Sequence, residues 1–146
     1  MHEIITNNYE ETQKFAEKFA KGLDSGTVIL LTGELGAGKT TFVQGLAKGL
    51  GVEGIPNSPS FIVVNEHRGN KKLVHVDLYR LENVDEIADL GLDEYFKSDA
   101  ITVVEWGERL GELMPNEYIM INIETIGEND RKLVIEEVNE KHKKNF

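Results

Sequence analysis

T-V-I-L-L-T-G-E-L-G-A-G-K-T-T, at residues 27–41, decides how the chain folds, because it joins a short apolar run to a glycine-rich segment. The run at 28–31 has the length of a buried strand, and the apolar residues after the glycines recur at helical spacing. Between them stands the phosphate-binding P-loop pattern G-x-x-x-x-G-K-[ST], filled by Gly33, Gly38, Lys39 and Thr40. The sequence therefore predicts a strand, a glycine-rich loop and a helix, in that order.

The composition of this loop suits a polyphosphate ligand. Backbone N–H groups at a helix N-terminus supply many donors, and glycines let them approach the anion closely. Lys39 would reach the β- and γ-phosphates, and the Thr40 hydroxyl would bind Mg²⁺. An ordinary glycine-rich turn is the alternative, but such a turn does not require the Lys-Thr pair. We predict that a nucleotide binds at Gly33, Glu34, Leu35, Gly36, Ala37, Gly38, Lys39, Thr40 and Thr41.

Length and composition predict an ordinary soluble protein. The 146 residues suffice for one core, so we expect residues 1–146 to form a single P-loop domain, with 139–146 as a frayed basic tail. There is no cysteine and therefore no thiolate metal site. No apolar stretch has the length of a membrane span, and the first residues lack a signal-peptide pattern. We expect a cytoplasmic protein.

The net charge argues against direct binding of nucleic acid. The chain carries 26 acidic residues against 16 Lys and Arg, which gives a formal charge of −10. Tight binding to a duplex draws on a basic face, and none is evident in the sequence. We therefore expect no direct tight binding to nucleic acid; if nucleic acid is involved, a partner holds it.

The remaining patterns predict an α/β fold. Strand patterns occur at residues 2–6, 60–66, 72–78, 101–105, 117–126 and 131–138. Helix patterns occur at residues 8–23, 83–90, 93–96 and 108–114. Asn8 is the expected cap of the first helix, with Glu11 three residues on. We predict a P-loop NTPase-like domain whose sheet is mixed but mainly parallel, flanked by helices and ending in a C-terminal β-hairpin.

Two acidic residues end strand patterns at places where a Mg²⁺ site would need them. Asp77 closes L-V-H-V-D, and Glu105 closes I-T-V-V-E. Folds of this class bind ligands at the carboxyl ends of parallel strands, so both acids are expected to converge there. For either one, a carboxylate that merely caps the next element is the alternative. His75 is interpreted as a hydrogen-bonded strand histidine rather than a catalytic base.

Three further features each have an ordinary and a functional interpretation. Ser60 follows a proline before a strand, where the residues alone favour a plain turn serine over a switch that senses the γ-phosphate. Trp106 is the only tryptophan, and packing is its ordinary explanation. The acid-rich segment 82–96 is typical of a solvated face, and a partner-docking surface is the alternative.

Taken together, these motifs resemble the TsaE (YjeE) family of P-loop ATPases of tRNA threonylcarbamoyladenosine biosynthesis. The P-loop recurs in many families, but its combination with H-x-D-L-Y-R and V-E-W is highly specific. The resemblance covers roughly residues 27–115, and its matching segments are G-E-L-G-A-G-K-T-T-F at 33–42, S-P-S-F at 58–61, H-V-D-L-Y-R-L at 75–81, D-L-G-L-D-E-Y-F at 89–96 and V-E-W at 104–106.

The resemblance implies roles for individual residues. Thr40 and Glu105 would hold Mg²⁺, and Asp77 would be a second essential acid near the γ-phosphate, so that the expected catalytic residues are Lys39, Asp77 and Glu105. Ser60 would occupy a switch-like position, although the family usually has threonine there, and Trp106 would lie beside the nucleotide. The last hairpin matches the family poorly, and Arg131 is our predicted nucleotide contact within it.

The resemblance also implies partners and an activity. TsaD would transfer the threonylcarbamoyl group to a tRNA adenosine, TsaB would be the scaffold, and this chain would use its ATPase cycle to keep that pair turning over. A slow ATPase is expected in isolation, because few residues besides Lys39 offer a second positive charge to the γ-phosphate.

Three other functions are alternatives to this one. A small P-loop kinase would need a lid rich in arginine, and the chain has few arginines. A GTPase would need an N-K-x-D motif, which is absent, so that ATP is favoured over GTP. A nucleotide-dependent interaction module without significant hydrolysis stays open, since the acids could bind Mg²⁺ without positioning water.

Overall fold

The computed structural model describes residues 2–34, 36–53 and 63–139, and these contain seven strands and four α-helices. Leu35, Ser60 and residues 140–146 of the tail lie outside the described residues, and so does the predicted switch loop around Ser60. The elements are β1 His2–Thr6, α1 Tyr9–Lys21, β2 Val28–Gly33, α2 Lys39–Gly49, β3 Val64–His67, β4 Leu73–Asp77, α3 Val84–Ala88, α4 Leu92–Phe96, β5 Ile101–Glu105, a 3₁₀ segment Gly107–Leu113, β6 Tyr118–Thr125 and β7 Arg131–Val138.

All seven described strands belong to one sheet, in the order β1-β7-β6-β2-β5-β4-β3. The central strands β6, β2, β5 and β4 pair in parallel, whereas β3–β4, β6–β7 and β1–β7 pair antiparallel. β1 therefore runs in the same direction as the four central strands, and only β3 and β7 run against them. This arrangement confirms the predicted α/β class, with a mixed and mainly parallel sheet that ends in a β-hairpin.

The sheet separates two apolar cores. On one face, α1 and α2 pack over side chains of the central strands, and Phe15 and Phe19 of α1 contact Phe42 of α2 through their rings. On the other face, α3, α4 and the 3₁₀ segment cover the alternate side chains of the same strands. Because β2, β4 and β5 are covered on both faces, they read as nearly continuous apolar runs in the sequence.

The first helix begins where the capping pattern predicts. Asn8 Oδ1 accepts a hydrogen bond of 2.8 Å from the backbone N–H of Glu11, which uses one of the free donors at the helix start. The Glu11 carboxylate accepts a hydrogen bond of 2.8 Å from the backbone N–H of Asn7, one residue earlier than an ideal capping box requires. This cap fixes the direction in which α1 leaves the edge strand β1.

The acid-rich segment 82–96 is acidic outside and apolar inside. Leu92 is buried, and Leu90, Tyr95 and Phe96 pack against the second core. Its acidic side chains are exposed, namely Glu82, Asp85, Glu86, Asp89, Asp93 and Glu94. The segment therefore presents mainly charge to any partner, with Val84 as an exposed apolar side chain.

The topology places three strand ends at one edge of the sheet. Glu105 is the register partner of Asp77 on one side and of Leu31 on the other. The P-loop leaves β2 two residues after Leu31, so the loop and both acids meet at the carboxyl edge of the parallel strands. None of the helices within the described ranges is both long and apolar enough to cross a membrane.

Candidate functional site

The glycine-rich loop is an open backbone cradle. Gly33, Gly36 and Gly38 have φ of 140°, 83° and 108°, a region that other residues rarely adopt. A Cβ added at Gly36 or Gly38 would meet nothing within 4 Å, whereas one at Gly33 would lie 2.5 Å from the carbonyl oxygen of Ile123. The loop therefore keeps an open side over its middle while it stays closely packed against β6.

Helix α2 begins at this cradle without a cap from the side chain of its own N-cap residue. The N-cap residue, Gly38, has no side chain that could accept a hydrogen bond from the first turn, and no acidic residue occupies that turn. The Thr40 side chain in that turn is exposed, and Thr41 is half-buried. Free backbone N–H groups and the positive end of the helix dipole thus face a place where an anion would be stabilised.

Lys39 is a buried cation at the base of the cradle. Its side chain donates a hydrogen bond of 2.5 Å to the carbonyl oxygen of Gly33, and Nζ lies 3.7 Å from the centre of the Trp106 ring. Burial lowers the pKa of Lys39, while the carboxylates of Glu105 and Glu108 act in the opposite direction. An ammonium group is therefore held among carboxylates in a poorly hydrated place, where a phosphate would be an additional acceptor.

The two predicted acids lie side by side and differ in environment. Glu105 is 3% exposed, whereas Asp77 is half-buried. Burial raises the pKa of the Asp77 carboxyl, although a 3.0 Å hydrogen bond from the backbone N–H of Tyr79 to Asp77 Oδ1 opposes the shift. A carboxyl group with a raised pKa is suited to accept a proton or to orient a water molecule.

His75 extends the site to a residue that the sequence placed only in a strand. Its ring is 2% exposed, and Nε2 lies 2.5 Å from Glu105 Oε2. His75 precedes Asp77 by two residues on β4, so both side chains point to the same face of the sheet. The histidine is hydrogen-bonded, as expected, and its partner is the predicted metal ligand.

Trp106 stands at a strained position between the acids and the 3₁₀ segment. Its φ is 62°, the only positive value among the described residues other than glycine. The ring packs 5.3 Å from that of Tyr79, measured between centres, and 5.0 Å from the Arg109 guanidinium carbon. Arg109 Nη1 in turn donates to the carbonyl oxygens of Leu78 at 2.9 Å, Tyr79, and Leu81 at 3.3 Å.

Arg131 ties the last hairpin to the loop. Its Nε donates a 3.0 Å hydrogen bond to the carbonyl oxygen of Ala37, and Nη1 donates to the carbonyl oxygens of Asp130 at 2.9 Å and Gly127 at 3.3 Å. The guanidinium thus lies beside the P-loop, where it contacts the protein backbone. Its contact with a nucleotide stays a prediction.

Two cavities flank the start of the loop at Gly33 and Glu34. One of about 730 Å³ is also lined by Trp106, Glu108 and Asn122. The other, of about 520 Å³, is also lined by Asn122 and by residues 123–126 of β6 and the following turn. Space for a bound molecule is therefore present beside the loop's first residues.

The residues present fit Mg²⁺ that arrives with a nucleotide. Within the described ranges, no group of three or more His, Cys, Asp or Glu residues is placed to hold a metal ion. A Thr40 hydroxyl and a Glu105 carboxylate are oxygen ligands, the kind that Mg²⁺ prefers, and in such sites phosphates and waters complete the coordination shell. The site fits a metal–nucleotide complex better than a free-standing metal ion.

The structure brings together Lys39, Asp77, Glu105 and Trp106, which the sequence had singled out. Glu108 and Arg109, whose charges both act on Lys39, were not singled out. Their only signal in the sequence was that they follow V-E-W after a single residue, Gly107. Arg80, three residues after Asp77, is exposed.

Comparisons with known proteins point to one family. The model of the family described as threonylcarbamoyl adenosine biosynthesis protein TsaE matches residues 6–133. The chain is 42% identical over 138 residues to the tRNA threonylcarbamoyladenosine biosynthesis protein TsaE of Bacillus subtilis, a match that covers 94% of this chain and 86% of that protein. It is 44% identical over 116 residues to the protein of the same name from Synechocystis, covering 76% of this chain and 73% of that one. Among solved structures, the crystal structure of YdiB from Bacillus subtilis matches with a TM-score of 0.80 at 35% identity, covering 98% of this chain and 89% of that one.

Proposed function

Because the chain belongs to the TsaE family of threonylcarbamoyl adenosine biosynthesis proteins, we propose that it is a Mg²⁺-dependent ATPase of tRNA modification. It binds ATP, hydrolyses it slowly on its own, and supports threonylcarbamoyl transfer to a tRNA adenosine through a TsaB–TsaD pair. ATP and Mg²⁺ are its cofactors in this proposal, and the partner pair holds the tRNA.

The observation that carries the proposal is the buried Lys39 at an open glycine cradle. A buried ammonium group beside an uncapped helix N-terminus concentrates positive potential at one place. An anion with several oxygens would gain hydrogen bonds from the backbone N–H groups and a charge-assisted one from Lys39. A polyphosphate therefore fits this place better than a neutral ligand does.

The acids and the helix divide the remaining tasks. Thr40 and Glu105 would hold Mg²⁺, which supplies a positive charge that offsets the developing charge on the phosphates. Asp77, with its raised pKa, would orient the attacking water or accept its proton. Trp106 would exclude water from Lys39, since its ring lies over the ammonium group.

Two matched substitutions test this division of roles. Glu105→Gln should abolish the Mg²⁺-dependent gain in nucleotide affinity, because an amide is a poor ligand for a hard cation. Asp77→Asn should retain binding but lose phosphate release. Calorimetric titration of ADP and of a non-hydrolysable ATP analogue, with Mg²⁺ or with EDTA, measures binding, and phosphate release from ATP measures turnover.

Each outcome of this test has a distinct meaning. Exchanged phenotypes would reverse the roles of Asp77 and Glu105. Full binding and turnover in both variants would contradict the proposed site. Nucleotide binding by the unaltered protein with no phosphate release, even with the partner pair present, would favour the interaction module without hydrolysis.

A further inference from the structure

His75 and Glu105 form a buried pair at the carboxyl edge of the sheet. Their side chains are 2% and 4% exposed, and His75 Nε2 lies 2.5 Å from Glu105 Oε2. In the proposed function Glu105 binds Mg²⁺ as a carboxylate, which can only accept hydrogen bonds, so in that role Nε2 is the donor of this contact. The contact occupies Oε2 and leaves Oε1 for another partner.

The backbone around Glu105 is already held, so side-chain torsions are its main freedom. β5 has a parallel strand on each side, and Glu105 pairs in register with Asp77 and with Leu31. His75 pairs with Val103, two residues before Glu105, which places the two side chains along the same face. A hydrogen bond from the neighbouring strand is therefore well placed to select one orientation of the carboxylate.

We propose that His75 is a positioning residue, which holds Glu105 Oε2 so that Oε1 faces the metal. The inference rests on the proposed function, in which Glu105 is a Mg²⁺ ligand. Hydrogen bonds of this kind to a metal-binding side chain fix its orientation, and their loss typically weakens metal affinity by about 10-fold or more.

The surroundings of the ring show which part of His75 matters. The buried Nδ1 has no hydrogen-bond partner within the part of the chain that the structure describes. A substitution of His75 that keeps its role must therefore place a hydrogen-bond donor at the position of Nε2. A glutamine places its amide nitrogen as many bonds from Cα as Nε2 stands, whereas an asparagine amide ends one bond short and corresponds to Nδ1.

The test compares His75→Gln with His75→Asn, two amides that differ by one methylene group. The ratio of ADP affinities with Mg²⁺ and with EDTA is measured by calorimetry for both variants, for Glu105→Gln and for the His75→Asn/Glu105→Gln double variant. We expect His75→Asn to reduce the Mg²⁺-dependent gain by about tenfold with little change in EDTA, and His75→Gln to retain most of that gain. The double variant should lose no more than Glu105→Gln alone, because the two residues act as one unit.

Each of the other possible results would overturn a specific part of this proposal. A Mg²⁺-dependent gain of normal size in His75→Asn, with Glu105→Gln deficient, would overturn the positioning role and leave the proposed function intact. A gain of normal size in Glu105→Gln would overturn the metal role of Glu105 and this inference with it. Equal loss in the Gln and Asn variants would show a packing role for the ring instead of hydrogen bonding. Circular dichroism of each variant shows whether it is folded, and if His75→Asn is unfolded, His75→Leu takes its place.

Discussion

At the scale of single residues, the site depends on a cation that is costly to bury. Lys39 is 5% exposed, and burial lowers its pKa, yet its side chain has both a carbonyl acceptor and an aromatic ring in contact. If Lys39 had only a structural role, an apolar residue could fill the same place without the cost of removing a charge from water. The arrangement is therefore best explained by a ligand that supplies negative charge.

Lys39→Ala is expected to weaken nucleotide affinity by about tenfold or more. The substitution removes a charge-assisted hydrogen bond to the phosphates, which contributes on the order of 1.5–3 kcal/mol. Calorimetry with ADP and Mg²⁺ measures the change. Lys48→Ala is the matched control, because it removes the same charge from an exposed position on the same helix. Unchanged affinity in Lys39→Ala would rule out the P-loop assignment.

Trp106 should report nucleotide binding through its fluorescence. It is the only tryptophan, and Lys39 Nζ lies 3.7 Å from the centre of its ring, so a ligand that draws the ammonium group away changes the surroundings of the ring. We expect the emission of the protein to shift on addition of ADP or ATP with Mg²⁺. Lys39→Ala should give a smaller shift at saturating nucleotide. Emission that stays constant while calorimetry shows saturation would place Trp106 away from the ligand.

At the scale of elements, two helices approach each other through glycine. A Cβ at Gly45 of α2 would overlap the carbonyl oxygen of Gln13 and lie 2.7 Å from the Cβ of Ala16, both on α1. Gly49, one turn later, faces Glu17 and Ala20 in the same way. α2 carries the P-loop at its N-terminus, so this contact fixes the element that positions Lys39.

Gly45→Ala is expected to destabilise the protein by about 1–3 kcal/mol, although alanine favours a helix intrinsically. A Cβ against backbone atoms forces the two helices apart, and overpacking of this kind outweighs the roughly 1 kcal/mol gain in helix propensity. Urea unfolding followed by circular dichroism measures the change in the free energy of unfolding. Gly22→Ala is the control, because its Cβ would meet only the Phe19 carbonyl oxygen, at 3.8 Å, and should change stability by less than about 0.5 kcal/mol. Equal stability of the two variants would contradict the close-contact explanation.

Local patterns of the sequence predict the helices and strands well, whereas they do not predict the contacts between these elements. The capping pair Asn8–Glu11 spans only three residues, and the acid at the end of β5 directly follows its apolar run, so both were predictable. The His75–Glu105 hydrogen bond joins residues 30 apart, and Arg109 reaches carbonyl groups about 30 residues away. Partners at such separations depend on strand order and register, which one sequence does not specify. The glycine contacts of α2 belong to the same class.

At the scale of the whole molecule, the arginines near the site already use their guanidinium groups in hydrogen bonds to the protein backbone. Arg109 and Arg131 both lie near the loop, but each donates hydrogen bonds to backbone carbonyl groups. A P-loop ATPase needs positive charge on the γ-phosphate in the transition state, and a partner often supplies it. The isolated protein should therefore be slow. All described strands share one sheet, and the single domain over residues 1–146 stays our prediction.

The last prediction is that a TsaB–TsaD pair raises the ATPase rate and that the acidic surface at 82–96 is part of the contact. The acids there are exposed while most apolar side chains other than Val84 are packed inward, so docking would rely mainly on charge. Reversing Asp89, Asp93 and Glu94 to lysine should weaken the apparent affinity for the pair by about tenfold, because exposed charge pairs contribute up to about 1 kcal/mol each. Basal turnover should stay unchanged, since none of the three lies at the loop or at the strand ends that carry Asp77 and Glu105.

A matched triple variant separates the effect of this acidic surface from the effect of the protein's net charge. Reversing Glu10, Glu136 and Glu137, which are also exposed, changes the net charge of the protein by the same amount at other places. Phosphate release is measured across a titration of the partner pair for both triple variants. Because both variants raise the net charge from −10 to −4, a difference between them depends on where the charges lie. Equal stimulation of the two would move the docking surface elsewhere, and a rate that does not respond to the pair in the unaltered protein would refute activation by these partners.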